Sequence, residues 1–424
     1  MFHTTMTEAV RYIADVSQLP ARPDESETWL RPILPISSYD PALTGEDRNR
    51  HLPLAGGWRS FRYIDVVMRT TEGSGAPFVV WRTDYETYRA KSADIARADS
   101  ALHCLTAPRP DFAGLKMSKP HLMGIVNVTP DSFSDGGVHY AASEAVSGGL
   151  RMMGEGASFV DVGGESTRPG STPVEEQEEI ARIVPVIEAL ARKQILICAD
   201  TRRPDVMRSA VTAGALIIND VSGFGTESAL SAAQEALALN PRRFGVIAMH
   251  MQGEPQTMQQ NPHYDFAPID VFIKLAECRD RLESAGVPRS HIVLDPGFGF
   301  GKTVTHNLDL IRWITLFHGL GVPILIGVSR KSSITSLMRA NRVFQKPIVS
   351  RVDPIGKGRD NSHSDTSLTA EKSVSKLLSP YGHNASERLP GSLALSLQAV
   401  EQGAQFIRTH DVKETHQALT VGIG

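Results

Sequence analysis

From His121 onward, apolar segments rich in β-branched residues recur with room for one helix between neighbours, an alternation that restricts this part of the chain to a parallel α/β architecture. The segments cover residues 121–128, 159–162, 195–199, 216–218, 244–248, 292–294, 324–328 and 406–407. Helical spacings fill the gaps, such as Val146, Leu150 and Met153, or Ile180, Val184 and Ile187, where Pro185 is expected to kink the helix. Eight strand–helix units predict an α/β fold of the (β/α)8 TIM-barrel type, in which functional groups gather where strands end and loops begin. Polar residues stand at those ends: Asn127, Asp200, Asn219, His250, Asp295, Lys331, Arg408 and His410.

A barrel occupies about 250 residues, so a chain of 424 has more to place. Residues 1–115 lack the alternation and predict a small N-terminal α+β domain of unassigned function, with a structural or assembly role preferred to a second active site. Residues 7–16 read as a short amphipathic helix, 19–54 as irregular, 61–68 and 78–81 as strands about the turn EGSGAP, and 85–96 as a polar helix. RPDF, residues 109–112, reads as a linker into the barrel domain, 116–424. One stretch interrupts that domain. Residues 339–388 are serine-rich and hold nine Lys/Arg against five Asp/Glu, the composition of a solvated, partly disordered insertion; a basic lid or partner-binding arm is the functional alternative.

A formal net charge of -3 gives no general basis for binding nucleic acid or an anionic membrane, so any anion site must be local. Cys104, Cys198 and Cys278 are odd in number and widely spaced with no C-x-x-C pair, which argues against a disulfide framework or a cysteine zinc site and favours a reducing cytoplasm. Glu8, Arg11 and Asp15 interrupt what would be the apolar core of a signal peptide, and no 18-residue apolar run follows, so neither export nor membrane insertion is expected.

Two stretches carry most of the chemistry. HLMGIVNVTPDSFSDGG, residues 121–137, passes from a buried strand into a polar loop broken by Pro130, and DVGGESTRPGS, residues 161–171, joins tight glycine turns to the hydroxyl of Thr167 and the guanidinium fork of Arg168, which suits diphosphate oxygens. Both resemble the signature loops of the dihydropteroate synthase family, which joins a pterin to p-aminobenzoate. The resemblance implies that the two loops move and close together over the aminobenzoate, with Phe133 and Pro169 near its ring. It covers roughly residues 118–424 apart from the insertion.

An aminopyrimidinone edge needs acceptors for its N–H groups and a donor for its carbonyl. Asp200 in CADT, Asn219 in INDVSG, Asp295 in LDPGFGFGK and Lys331 in SRKS supply that set from four strand ends, although each alone is equally a cap or structural hydrogen-bonder. By resemblance Asp200, Asn219 and Asp295 hold the pterin, Lys331 contacts it, and Met249 packs on its ring. The phrase GFGFGKT fails both the Walker spacing and the dinucleotide pattern, and is read as a tight turn with Lys302 outside it. Arg408 and His410 alternate about Thr409, so on an extended segment both project to one side and can grip an anion. The resemblance implies that Arg408 packs on the pterin, that Arg408, His410 and Arg168 bind the diphosphate, and that Asn127 ligates Mg2+. Arg203 is expected to point to solvent, and His250 is read as locally satisfied.

The resemblance thus implies a homodimeric transferase with two substrates, dihydropterin diphosphate and p-aminobenzoate, and with Asn127, Arg168, Lys331, Arg408 and His410 acting on the reaction. A pterin-dependent methyltransferase would share the barrel but has no use for a diphosphate clamp. A non-catalytic paralogue keeping only the pterin pocket is the third reading, distinguished by ligand binding without product.

Overall fold

The computed structural model describes residues 10–13, 27–34, 50–70, 77–128, 137–166, 173–340 and 386–423. The N-terminal part contains β1 (Val10–Ile13), β2 (Thr28–Ile33), β3 (Leu52–Leu54), β4 (Arg59–Phe61), β5 (Tyr63–Arg69) and β6 (Phe78–Asp84). Four of these form a sheet in the order β1-β6-β5-β2, and β3 pairs with β4. Helices Tyr85–Lys91 and Ile95–Thr106 follow, capped by Asp84 and Asp94, so the predicted single helix is two.

Two N-terminal expectations are corrected. The segment read as a helix contains β1, which pairs in parallel with β6. Its apolar residues, Val10 and Ile13, lie on opposite faces of a strand, and both are buried because both faces of the sheet are covered. The segment read as irregular includes β2, whose Pro32 is accommodated because β2 is an edge strand and pairs only with β5.

One face of this sheet buries Ile64, Val66, Val79 and Trp81 with Leu102 and Leu105 of the second helix. The other buries Val67, Phe78 and Val80 against Phe266, Ile269, Trp313 and Leu316 of the barrel domain. Polar contacts register this joint: Arg31 lies 4.4 Å over the Trp313 ring and donates to the Arg312 carbonyl at 2.9 Å, while Thr315 Oγ1 donates to the Pro32 carbonyl at 2.8 Å.

The barrel strands are β7 (His121–Asn127), β8 (Phe159–Gly163), β9 (Ile197–Asp200), β10 (Ile217–Asp220), β11 (Gly245–Met249), β12 (Ile292–Asp295), β13 (Leu325–Ile326) and β14 (Phe406–Thr409). All pairings among them are parallel, in the order β12-β11-β10-β9-β8-β7-β14-β13, and a parallel bridge between Leu294 and Ile324 closes the ring. Their near-continuous apolar runs reflect burial on both faces, inside against the barrel core and outside against helices such as Gly137–Gly154, Glu176–Ala191 and Ala267–Ser284. The second of these runs unbroken through Pro185.

At the N-terminal end of the barrel, each strand contributes one residue to a cluster of Met123, Phe159, Cys198, Ile217, Ile247, Val293, Leu325 and Phe406. Phe112, Ala113 and Met117 close it from below, with the Phe112 ring 5.6 Å from that of Phe406. RPDF is therefore anchored at both ends, with Pro110 and Asp111 exposed between the buried Arg109 and Phe112: Arg109 donates to the carbonyls of Cys104, Ala107 and His318. Of the predicted insertion, residues 341–385 lie outside the described residues. No described helix is long and apolar enough to cross a membrane.

Candidate active site at the barrel mouth

Strand register brings the predicted residues to one end of the barrel. Asn127 pairs with Gly163, Gly163 with Asp200, and Asp200 with Asn219, while Met249 pairs with Asp295. Arg408, two residues into β14, crosses the mouth: its Nε donates to Asp161 Oδ2 at 2.6 Å and its Nη2 to Asp200 Oδ2 at 2.5 Å. Asn219 Nδ2 donates to the same Asp161 oxygen at 3.3 Å. Burial lifts the Asp200 carboxyl above the usual carboxylate range, Arg408 opposing and Asp161 adding to the shift. The paired carboxylates raise Arg408 further above its ordinary value against the cost of burial.

Asp161 was not singled out from the sequence. It is fully buried and holds two site residues at once, and the signal was available: an acid within an otherwise apolar strand, two residues before the glycine pair.

On the opposite wall, Asp295 Oδ1 accepts from the Gly297 backbone at 2.7 Å. Lys331 Nζ donates to the Phe298 carbonyl and lies 4.3 Å from the Phe300 ring centre. Burial lowers Lys331 to about 7, with Asp295 opposing, and burial raises Asp295, with Lys331 opposing. The two walls face one space: a Cβ placed on Gly327 would stand 3.7 Å from Arg408 Cβ and 3.9 Å from Asp295 Oδ2. Met249 is buried at the end of β11.

The turn carrying Lys331 is held under backbone strain. Arg330 adopts φ 56°, a left-handed conformation that costs a non-glycine residue on the order of 1 kcal/mol. It is kept there by its ion pair to Asp411, by donation of its N–H to Ser392 Oγ at 2.9 Å, and by Arg388, which donates to its carbonyl at 2.8 Å. His410 is tied to the same turn, its Nδ1 3.0 Å from Ser329 Oγ and its N–H donating to that hydroxyl at 3.1 Å.

Two sequence readings are corrected here. Lys302 is not outside its turn: it is buried, donating to the Phe300 carbonyl at 2.9 Å and standing 3.0 Å from His250 Nδ1. Arg203 does not face solvent but bridges Glu179 at 2.5 Å and Glu165 at 3.1 Å. His250 is locally satisfied by Lys302. Phe133, Thr167, Arg168 and Pro169 lie outside the described residues.

Whether a magnesium ion suits this mouth is tested by the donor set. Asn127 ends β7 half-buried, and its side chain has no hydrogen-bond partner among the described residues. One neutral oxygen donor suits an ion that keeps waters and takes substrate phosphate oxygens. Among the described residues there is no cluster of three or more His, Cys, Asp or Glu that would form a closed metal cage.

Comparison with known proteins agrees with this geometry. The family model described as pterin binding enzyme matches residues 123–410. The dihydropteroate synthase of Escherichia coli K12 is 41% identical over 308 residues, covering 72% of this chain and 92% of its own. That of Neisseria meningitidis serogroup B is 39% identical over 310 residues, with 72% and 92% covered. Among solved structures, Xanthomonas albilineans dihydropteroate synthase with 4-aminobenzoic acid aligns with a TM-score of 0.58 at 39% identity, covering 74% of this chain and 97% of that one. The same enzyme in complex with 7,8-dihydropteroate aligns at 0.56 and 37% identity, with the same coverage. The Yersinia pestis enzyme with a sulfonamide drug complex aligns at 0.58 and 36% identity, covering 73% and 94%.

Proposed function

The chain belongs to the pterin binding enzymes, among their dihydropteroate synthases, and on that premise we propose how its residues carry the reaction. It condenses (7,8-dihydropterin-6-yl)methyl diphosphate with p-aminobenzoate, giving 7,8-dihydropteroate and diphosphate. The observation that carries the reading is the convergence of Asp200, Asn219, Asp295, Lys331 and Arg408 on one space at the C-terminal ends of the strands.

Asp200, Asn219 and Asp295 hold the amino and ring N–H edge of the pterin, and Lys331 donates to its acceptor side. The Arg408 guanidinium packs on the heterocycle, with Met249 as apolar packing. In the reaction the methylene C–O bond breaks and its electron pair leaves with diphosphate, while the amine nitrogen of p-aminobenzoate bonds to the methylene carbon and gives up its proton. Little acid–base help is needed, because diphosphate leaves readily. Arg408, His410 and Arg168 stabilise the charge that develops on it. Asn127 would hold Mg2+ beside the diphosphate, where the bound ion supplies further positive charge. Thr167, Phe133 and Pro169 complete the aminobenzoate side, and water exclusion protects the electron-poor methylene carbon.

Residues 1–115 act as a structural appendage, supported by the burial of one face of their sheet on the barrel domain. The chain works as a homodimer in the cytoplasm, where Cys104, Cys198 and Cys278 stay reduced. A magnesium titration of dihydropteroate formation tests the reading: Asn127→Ala should shift the requirement upward and cut turnover at saturating pterin, and a titration matching wild type would refute the assignment.

A further inference from the structure

Two features of the sequence have no part in the mechanism above, the glycine turn ending in Lys302 and the histidine of MHMQG, and in the structure they meet. The segments after β11 and β12 lie backbone against backbone. A Cβ on Gly297 would stand 1.9 Å from the His250 carbonyl, and one on Gly301 2.2 Å from that of Gln252, so neither position admits a side chain. The contact is reinforced by donation from Gln259 Nε2 to the Gly299 carbonyl at 2.7 Å and from Tyr264 Oη to the Gly301 carbonyl at 2.9 Å. At its centre sits the Lys302 amine, only 2% exposed, with the Phe300 carbonyl at 2.9 Å, His250 Nδ1 at 3.0 Å and the His250 carbonyl at 3.4 Å around it.

The same turn presents the groups that hold Lys331: the Phe298 carbonyl accepts from its Nζ, and the Phe300 ring lies beneath it. We propose that Lys302 and His250 form an internal clasp that positions Lys331, with Lys302 as a positioning residue for pterin binding rather than a group that touches substrate. Burial and the neighbouring Lys302 hold His250 well below its ordinary value, so its Nδ1 keeps a lone pair for the amine. With the clasp broken, the Phe298 carbonyl and Phe300 ring lose their fixed place, and the Lys331 amine loses its aim beside Asp295.

The inference rests on the assignment of Lys331 to the pterin and is tested in the full-length chain by steady-state kinetics with each substrate varied. Lys302→Met should raise KM for the pterin diphosphate about tenfold, with KM for p-aminobenzoate within about twofold of wild type. His250→Ala should reproduce that change. His250→Asn, which keeps an oxygen acceptor near the place of Nδ1, should restore most of the wild-type value. The Lys302→Met/His250→Ala double variant should be no worse than Lys302→Met alone, as for two parts of one contact. Additive losses, or a lowered melting temperature with both KM values unchanged, would overturn the clasp. Wild-type protein that forms no dihydropteroate would instead refute the function on which it rests.

Discussion

Arg408 Nη2 stands 2.5 Å from Asp200 Oδ2, joining the last strand of the barrel to the third across its mouth, while its Nε stands 2.6 Å from Asp161 Oδ2. One guanidinium is thus divided between a carboxylate assigned to the pterin and one buried beneath it. Asp161→Ala removes the buried anchor and leaves Arg408 and Asn219 each short of a partner. Breaking a buried ion pair from one side costs about 3–5 kcal/mol, and turnover should fall by about 100-fold as Arg408 loses its orientation. Asp161→Asn retains an acceptor and should lose less of both. Urea denaturation beside turnover measures the two effects.

Lys331 predicts the pH dependence of pterin use. Burial lowers it to about 7 from 10.5, so its ammonium, the form proposed to donate to the pterin, is the main form below that pH and is lost above it. kcat/KM for the pterin diphosphate should therefore fall as pH rises through about 7. Lys331→Arg stays charged and should lose that limb while showing a lower plateau. A parallel decline in both proteins would assign the limb to another group.

His318 predicts a stability effect of defined sign. Burial and Arg109 lower it from 6.5 to about 3, against a hydrogen bond with the Gln402 carbonyl at 3.0 Å. A depressed folded value means that its contribution is full above 6.5 and is lost as pH falls through about 3. The gap in unfolding free energy between wild type and His318→Gln should shrink by about 3 kcal/mol from pH 7 to pH 4. Chemical denaturation at the two values measures it, and a constant gap would contradict the assignment.

The barrel was legible because its strands are buried on both faces, which makes each an apolar run, several with a candidate site residue directly after the run; Asp200 and Asp295 are such cases. Two strands of the N-terminal sheet, β1 and β2, were harder to read. Val10 and Ile13 mimic helical spacing because each is buried on a different face, and Pro32 suggests irregularity although an edge strand accepts it. Contacts distant in sequence left no local trace: Lys302 and His250 are 52 residues apart, and Arg408 and Asp161 are 247 apart. Asp161 and Phe112 stand in the sequence inside a glycine motif and a linker, where nothing local marks their partners.

Phe112 offers a prediction that separates stability from chemistry. It is fully buried at the base of the barrel, at the opposite end from the mouth, and its ring fills the space that a side chain on Gly245 would need. Phe112→Ala should cost about 3–5 kcal/mol of unfolding free energy through the cavity it leaves. Turnover per folded molecule at low temperature should stay near wild type, as active-site titration with denaturation can establish.

The central claim is that the ring of strand-end residues at the barrel mouth performs the condensation. Its most direct test is the rate of 7,8-dihydropteroate formation, with diphosphate release measured in the same reaction, for wild type, Asp295→Asn and Lys331→Met. The account predicts product and diphosphate in equal amounts from wild type, and at least about 100-fold lower kcat/KM for the pterin diphosphate in both variants. No product from wild type, or variants turning over at its rate, would contradict it.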